Sequence, residues 1–132
     1  MIKYAVIILA RNEEAGIVKT LESLVNQVHL PEQVIVVNDG STDGTEEVLK
    51  GYADRHSRVR YLNFPCREEY KLGGRIIRMF KFAFQSLEAS NISCEFVVKM
   101  DADIEFDSNF FPAFFRIPIY QKKPWFRERR IL

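Results

Sequence analysis

Short apolar segments that alternate with amphipathic ones are the feature that most constrains how this chain can fold. Tyr4–Leu9 is apolar and largely β-branched, as expected for a strand that is buried on both faces of a sheet. Three later segments have strand character as well: Val34–Val37, Val59–Leu62 and Phe96–Met100. The chain therefore has at least four predicted strands, of which Tyr4–Leu9 and Val34–Val37 have the continuous apolar character of a parallel sheet's interior.

The segments between these strands carry apolar residues at a spacing of three to four, which predicts helices. The helices are expected over about Glu13–Gln27, over Thr45–Tyr52 and from Ile76 to Leu87. Asn12 is the predicted N-cap of the first helix, and Gly73-Gly74 is predicted to break the chain before the third. Strands that alternate with helices imply right-handed crossovers. The predicted fold class is α/β, a Rossmann-like three-layer α/β/α structure with a mostly parallel sheet.

Polar residues follow three of the four predicted strands directly. Ala10-Arg11-Asn12 follows the first, Asn38-Asp39 the second and Asp101-Ala102-Asp103 the fourth. In open parallel sheets, ligands bind outside the carboxyl ends of the strands. The sequence therefore predicts one shared site that is lined by carboxylates.

Asp101 and Asp103 are the sharpest chemical feature of this site. Side chains alternate along an extended segment, so both carboxylates are expected on one side, with Glu105 a further candidate there. Two such carboxylates repel by roughly 4 kcal/mol at about 4 Å and an effective dielectric near 20. A divalent cation removes this repulsion, and Mg²⁺ or Mn²⁺ often completes its shell with substrate phosphates. A solvated turn is the simpler alternative, but the position directly after a buried strand favours a metal site.

Asp39 and the loop after the first strand are the candidates for binding a nucleoside. A carboxylate at Asp39 can accept hydrogen bonds from the N–H of uracil or guanine, or from ribose hydroxyls, whereas the alternative role of shaping the turn is assigned to Asp43. Ala10 is small enough for a planar base to approach the backbone. The loop residues proposed for base contact, in preference to a simple helix start, are Ala10, Arg11, Asn12 and Glu13.

Lys71 and Arg75 flank Gly73-Gly74 and are candidates for contact with a diphosphate. A glycine-rich segment that opens a helix is a natural anion site, although a solvated basic loop is an equally open alternative. Neither Gly-x-Gly-x-x-Gly nor Gly-Lys-Ser/Thr occurs in the chain, so dinucleotide and P-loop functions lose their main support.

Composition limits the cellular setting and the partners. The net charge of +1 does not favour a nucleic-acid partner. Cys66 and Cys94 have no metal or redox spacing, which is typical of free thiols in a cytosolic chain. The longest apolar run, Ala5–Ala10, is too short to span a bilayer. We expect a cytoplasmic protein, with the cytoplasmic face of a membrane as the alternative location.

The residues from 116 to 132 form a basic, aromatic tail. They include six basic residues and one acidic residue, and they continue an aromatic stretch that begins at Phe110. Exposed apolar patches favour association, and a basic aromatic segment also suits an anionic lipid surface. Because Pro112, Pro118 and Pro124 interrupt any long amphipathic helix, we expect self-association ahead of membrane binding.

Three motifs occur in a characteristic order and spacing: Ala10–Glu14, Val34–Thr45 and Val97–Asp103. Together they resemble family 2 glycosyltransferases of the GT-A fold, including dolichyl-phosphate-mannose-synthase-like and cell-wall polysaccharide enzymes. The resemblance covers about Ile2–Phe115. It implies that Asp39 contacts the base, that Asp101 contacts the ribose or the metal and that Asp103 binds the metal. Glu105 stands at a position that is a metal ligand in some members.

The resemblance implies transfer of a sugar from a UDP- or GDP-sugar to an acceptor, with inversion. A Mn²⁺ or Mg²⁺ ion would clamp the diphosphate, and a carboxylate base would assist the acceptor hydroxyl, for which a lipid phosphate is one candidate. The family's general base normally lies far downstream, whereas this chain ends about thirty residues after Asp103. We therefore expect a nucleotide-sugar-binding subdomain at 1–115 and a tail at 116–132, without the acceptor-binding half or its base.

Two other functions stay open from the sequence. A non-catalytic nucleotide-sugar-binding module would bind UDP or GDP with a metal but would not turn over. A nucleotidyltransferase can share this sheet, but it would prefer a glycine-rich basic loop after the first strand. Ala10–Ala15 contains no glycine, so this second alternative ranks lower.

Overall fold

The chain folds into a parallel α/β structure, which confirms the predicted fold class. The computed structural model describes residues 2–65, 72–116 and 130–131. The strands are β1 (Tyr4–Ala10), β2 (Gln33–Asn38), β3 (Val59–Asn63), β4 (Phe96–Asp101) and β5 (Arg130–Ile131). The helices are α1 (Ile17–Val25), α2 (Thr45–Arg55), α3 (Leu72–Ala89) and the short α4 (Phe110–Phe114). Within the described residues, no helix is both long and apolar enough to cross a membrane.

The five strands pair in the order β3-β2-β1-β4-β5, and every pair is parallel. The chain moves outward from β1 to β3 on one side and then crosses to β4 on the other side of β1. The strand order therefore reverses between β1 and β4, which is the place where open α/β sheets bind ligands. Ala10 is level with Asn38, and Leu9 is level with Asp101, so the polar clusters that follow these strands share one edge.

Both faces of the sheet are covered, which explains the continuous apolar character of β1 and β2. Tyr4, Val6 and Ile8 pack on the side of α1, α2 and α4, and Ala5 and Ile7 pack on the side of α3. Residues of α1 and α2 that join the first face are Ile17, Leu21, Leu24, Leu49 and Tyr52. The helices thus form two outer layers around the sheet, and the polar strand ends are left at its carboxyl edge.

Two expected element boundaries are wrong. Helix α1 begins at Ile17 rather than near Glu13, and Gly16 rather than Asn12 is its N-cap. Asn12 has a left-handed backbone with a φ of 52°, which asparagine tolerates better than most residues, and its side chain bonds to another loop instead. Gly73 and Gly74 lie inside the first turn of α3 and do not break it. The N–H groups of a first turn have no intrahelical partner, so glycine disrupts a helix less there.

The structure also contains two elements that periodicity does not predict. Helix α4 has only five residues, and Pro112 is accommodated in its first turn, where no backbone N–H is needed. Strand β5 has two residues, which pair with Phe96 and Val97 of β4. Residues 117–129 of the predicted tail lie outside the described residues, so its expected self-association stays a prediction.

Candidate functional site

Asp39, directly after β2, forms a nearly buried ion pair with Arg75 in the first turn of α3. Arg75 Nη2 lies 2.6 Å and Nε 3.0 Å from the same Asp39 oxygen, Oδ1. Asp39 is 6% exposed, and the Arg75 side chain is 12% exposed. The Asp39 N–H donates to the Ala10 carbonyl oxygen at 2.9 Å, which joins this residue to the end of β1. Charge-assisted bonds at these distances hold the carboxylate in one orientation.

The position of Arg75 bears on the choice between the anion site and the solvated basic loop, which the sequence left as equal alternatives for this residue. Arg75 does not lie in a solvated loop. It belongs to helix α3, and its guanidinium lies against the nearly buried Asp39 carboxylate. Lys71, the other basic candidate, lies outside the described residues. Periodicity did not reveal the Asp39–Arg75 pair, although crossover topology offers a signal for it. A crossover helix begins near the edge where the preceding strand ends, so a basic residue in its first turn can reach a strand-end carboxylate.

Asn12 joins the loop after β1 to the loop after β2. Its Oδ1 accepts hydrogen bonds from the N–H of Thr42 at 2.7 Å and of Asp43 at 3.3 Å. Its own N–H donates to Ser41 Oγ at 3.0 Å, and Ser41 in turn donates to Asn38 Oδ1 at 2.6 Å. Both the backbone N–H and the side-chain oxygen of Asn12 thus make hydrogen bonds within the protein. These bonds fix the loop that leads away from Asp39.

The flanking residues of the first loop strengthen this connection. Glu13 donates its N–H to Thr45 Oγ1 at 2.9 Å, and Glu14 accepts from the Gly44 N–H at 3.0 Å. Ala10 is 2% exposed, whereas Arg11 is exposed. Of the four loop residues proposed for base contact, Asn12 and Glu13 therefore make protein contacts, and Arg11 has a side chain that faces solvent.

Asp43 has the loop-shaping role that the sequence analysis assigned to it. Its Oδ1 accepts from the Thr45 N–H at 3.0 Å and from the Thr45 hydroxyl in a short hydrogen bond. The Thr45 hydroxyl holds the pKa of Asp43 below its ordinary value, because it stabilises the charged carboxylate. This geometry fixes the chain where the loop enters α2.

Asp101 and Asp103 lie on either side of a buried residue at the end of β4. Both aspartates are exposed, whereas Ala102 between them is 3% exposed and belongs to the core. Both carboxylates are thus accessible, and their placement on one side stays a prediction. The chain turns at Ala102 and Asp103, so it does not keep the extended path on which the expected side of Asp103 and Glu105 depended.

The donor set suits a divalent cation that takes ligands from its substrate. Within the described ranges, no three His, Cys, Asp or Glu side chains form a ready metal-binding group. Asp101 and Asp103 nevertheless offer two hard oxygen donors at a fixed strand end. Mg²⁺ is typically held by one or two carboxylates together with water and phosphate oxygens. The two carboxylates are therefore chemically suited to such an ion, which Asp101 and Asp103 would hold.

The sheet places both carboxylate groups around β1. Asp39 follows β2, Asp101 ends β4, and Ala10 ends the strand between them. Neighbouring strands lie about 4.8 Å apart, so the two groups flank Ala10 across roughly 10 Å. One side offers a carboxylate with a guanidinium, and the other offers two exposed carboxylates. The carboxyl edge thus offers two chemically different halves, and the single shared site expected from the sequence stays a prediction.

Residues 5–117 match the protein family described as Glycosyl transferase family 2. An uncharacterized glycosyltransferase of Mycoplasma pneumoniae, the MG025 homolog, is 39% identical over 64 residues, which are 47% of this chain and 21% of that protein. S. aureus TarS 1–349 in complex with UDP-GlcNAc has a TM-score of 0.63 at 23% identity, over 87% of this chain and 30% of that one, and shows the fold.

A further solved structure is similar in sequence as well as in fold. Glucosyl-3-phosphoglycerate synthase from Mycobacterium tuberculosis, in complex with Mn²⁺, UDP and phosphoglyceric acid, is 28% identical with a TM-score of 0.54. The similarity covers 83% of this chain and 36% of that one. This chain thus spans about a third or less of the three proteins to which it is compared.

Proposed function

This chain belongs to glycosyltransferase family 2, and we propose that it binds the nucleoside diphosphate part of a UDP- or GDP-sugar at the carboxyl edge of its sheet. The observation that carries the proposal is the arrangement of two unlike acidic groups on either side of Ala10. Asp39 with Arg75 suits a base, and Asp101 with Asp103 suits a metal-bound diphosphate. The whole protein's activity is proposed to be transfer of that sugar with inversion.

The Asp39–Arg75 pair has the chemistry to recognise the edge of a base. An ionised carboxylate has about four lone-pair sites, so Asp39 can keep Arg75 and still accept another hydrogen bond. Uracil and guanine each present a ring N–H beside a carbonyl oxygen. Asp39 is proposed to accept from the N–H, and Arg75 to donate to the oxygen. Ala10 ends the strand next to Asp39, and its contact with a base stays a proposal.

The Asp101 and Asp103 carboxylates are proposed to hold Mn²⁺ or Mg²⁺, with Glu105 as a candidate near the ion. A bound divalent ion supplies positive charge that stabilises a diphosphate leaving group. The chain's own contribution is to keep two carboxylates together at one strand end. The Mn²⁺ and UDP of the M. tuberculosis synthase support this proposal. Lys71 stays a proposed diphosphate contact.

The acceptor site and the general base are not assigned to any described residue. Asp101 and Asp103 are committed to the metal in this proposal, so neither is available to remove a proton from an acceptor hydroxyl. The lipid-phosphate acceptor and the homo-oligomer expected from the basic, aromatic tail are likewise proposals.

Calorimetry with UDP, GDP and the corresponding free nucleosides tests the proposed function. In Mn²⁺, one of the two diphosphates should bind more tightly than its nucleoside, and EDTA should remove this advantage because it comes from the metal-bound diphosphate. Binding of neither diphosphate by the folded chain, in Mn²⁺ or in Mg²⁺, would contradict the proposal. Glu95→Gln, at the opposite end of β4, is the matched control because it removes a carboxylate far from the site and should leave affinity unchanged.

A further inference from the structure

Thr20 is a polar residue in the apolar stripe of α1. Its neighbours in that stripe, Ile17, Leu21 and Leu24, are fully buried, and Thr20 itself is 1% exposed. A buried hydroxyl needs a hydrogen-bond partner, and its loss is costly. Thr20 Oγ1 donates to the carbonyl oxygen of Ala102 at 2.8 Å. Its own helix offers only the Gly16 carbonyl at 3.4 Å, so the bond to Ala102 has the better geometry.

The bond to Ala102 matters because this residue lies between the two candidate metal ligands. Ala102 lies between Asp101 and Asp103, and its methyl group is buried in the core. The core thus holds its side chain, and Thr20 holds its carbonyl. With both groups fixed, the peptide unit between Ala102 and Asp103 cannot rotate freely, which limits the directions in which the side chains on either side leave the backbone.

The residues that directly follow α1 hold the far end of the same segment. Gln27, which is 4% exposed, donates through Nε2 to the Asp107 carbonyl at 2.5 Å and accepts from the Phe111 N–H at 3.1 Å. The Val28 N–H donates to the Ser108 carbonyl at 2.8 Å. The segment that carries Asp103 and Glu105 is therefore anchored at both ends by one helix region.

We propose that Thr20 is a positioning residue that fixes the Asp101 and Asp103 carboxylates for metal binding, an inference that rests on the proposed function. Two like charges tend to turn away from each other when no cation lies between them. A backbone that cannot rotate limits this movement and keeps both groups available to one ion. Residues that orient metal ligands in this way affect metal affinity without touching the metal.

The test compares three variants of the full chain. Thr20→Val preserves the shape of the side chain and removes the hydroxyl, whereas Thr20→Ser keeps the hydroxyl. Ser23→Ala is the matched control, because Ser23 donates to the Thr20 carbonyl within α1 and makes no bond to the 102–108 segment. The measurement is the Mn²⁺ concentration that gives half of the metal-dependent gain in UDP or GDP affinity.

Thr20→Val should raise this Mn²⁺ concentration about tenfold, the lower end of the effect known for residues that orient metal ligands. Thr20→Ser and Ser23→Ala should stay close to the unmodified chain, and nucleotide affinity in EDTA should be the same in all four proteins. A folded Thr20→Val protein with an unchanged Mn²⁺ requirement would overturn the proposal. Thr20→Ala takes the place of Thr20→Val if the valine variant does not fold.

Amide hydrogen exchange separates this inference from the proposed function. Exchange at residues 102–106 should become faster in Thr20→Val but not in Ser23→Ala, whether or not any ligand binds. If the unmodified chain shows no metal-dependent binding while exchange changes as expected, the proposed function fails and the positioning of this segment by Thr20 stands. If exchange in the segment does not change, the positioning role is wrong.

Discussion

Asp39 follows β2 and Asp101 ends β4, so both lie at the carboxyl edge of the sheet, but their surroundings differ sharply. Asp39 is 6% exposed and bound to Arg75, and the loops beside it are joined through Asn12. Asp101 and Asp103 are exposed, and no hydrogen bond to either carboxylate comes from the residues that the structure describes. The side proposed for the base is thus charge-balanced within the protein, whereas the side proposed for the metal is not.

The difference indicates which half of the site needs its ligand in order to neutralise the charge of its carboxylates. A buried carboxylate must be paired, because leaving it alone costs several kcal/mol. Exposed carboxylates are stable in water, and their mutual repulsion is relieved when a cation arrives. We therefore expect substitutions on the Asp39 side to affect folding and binding together. Substitutions on the Asp101 side should affect binding alone.

The largest expected effect comes from breaking the buried pair. Asp39→Ala should lower the free energy of unfolding by about 3 kcal/mol, because it removes the buried carboxylate that binds the nearly buried Arg75 guanidinium. Asp101→Ala should change it by less than about 0.5 kcal/mol, as is usual at exposed sites. Urea denaturation of both variants measures the contrast, and equal losses of stability would contradict the division of the site into two halves.

A double variant sharpens this comparison. Asp39→Asn with Arg75→Met removes both charges and should recover part of the stability lost in Asp39→Ala, since the buried guanidinium is removed together with the carboxylate that binds it. It should still bind nucleotide poorly, because Asp39 and Arg75 are the groups assigned to the base. Normal nucleotide affinity in this double variant would remove the base-recognition role while leaving the ion pair as a structural feature.

A smaller effect is expected from the connection between the two loops. Asn12→Ala should cost about 2 kcal/mol, because it loses the acceptor for Thr42 and Asp43 and also has to adopt a left-handed backbone. Asn12→Gly keeps the backbone conformation and should lose about half as much. Thermal denaturation of the two variants gives the comparison. A glycine variant as unstable as the alanine variant would show that backbone conformation contributes nothing here.

The sequence allowed the strands and their shared polar edge to be predicted, because both depend on local pattern and simple topology. Buried apolar runs placed β1, β2 and β4 to within about one residue at each end. Parallel pairing then brought their polar ends to one edge. The roles of Arg75, Asn12 and Thr20 could not be read in this way. Each depends on a contact with a residue about thirty or more positions away, which only the packed structure specifies.

The smallest expected effect is the pH dependence of stability that comes from Asp43, in the loop that follows Asp39. The pKa of Asp43 is lowered by the Thr45 hydroxyl, so the carboxylate is stabilised in its charged form. This contribution to stability is present above the unfolded-state pKa of Asp, about 3.9, and is lost as the pH falls through the lower folded-state pKa. NMR titration should show the pKa of Asp43 rising in Thr45→Val. An unchanged value would mean that the hydroxyl does not stabilise the carboxylate.

We propose that Asp101 and Asp103 bind nucleoside diphosphate only through a divalent cation. The most direct test is calorimetry of UDP and GDP with the unmodified chain and with Asp103→Ala, each in Mn²⁺ and in EDTA. We predict that EDTA weakens binding to the unmodified chain by about 1.5–3 kcal/mol, the range for interactions with charged groups. Asp103→Ala in Mn²⁺ should match the unmodified chain in EDTA and should lose nothing more when EDTA is added. Unchanged affinity of Asp103→Ala in Mn²⁺ would contradict the claim.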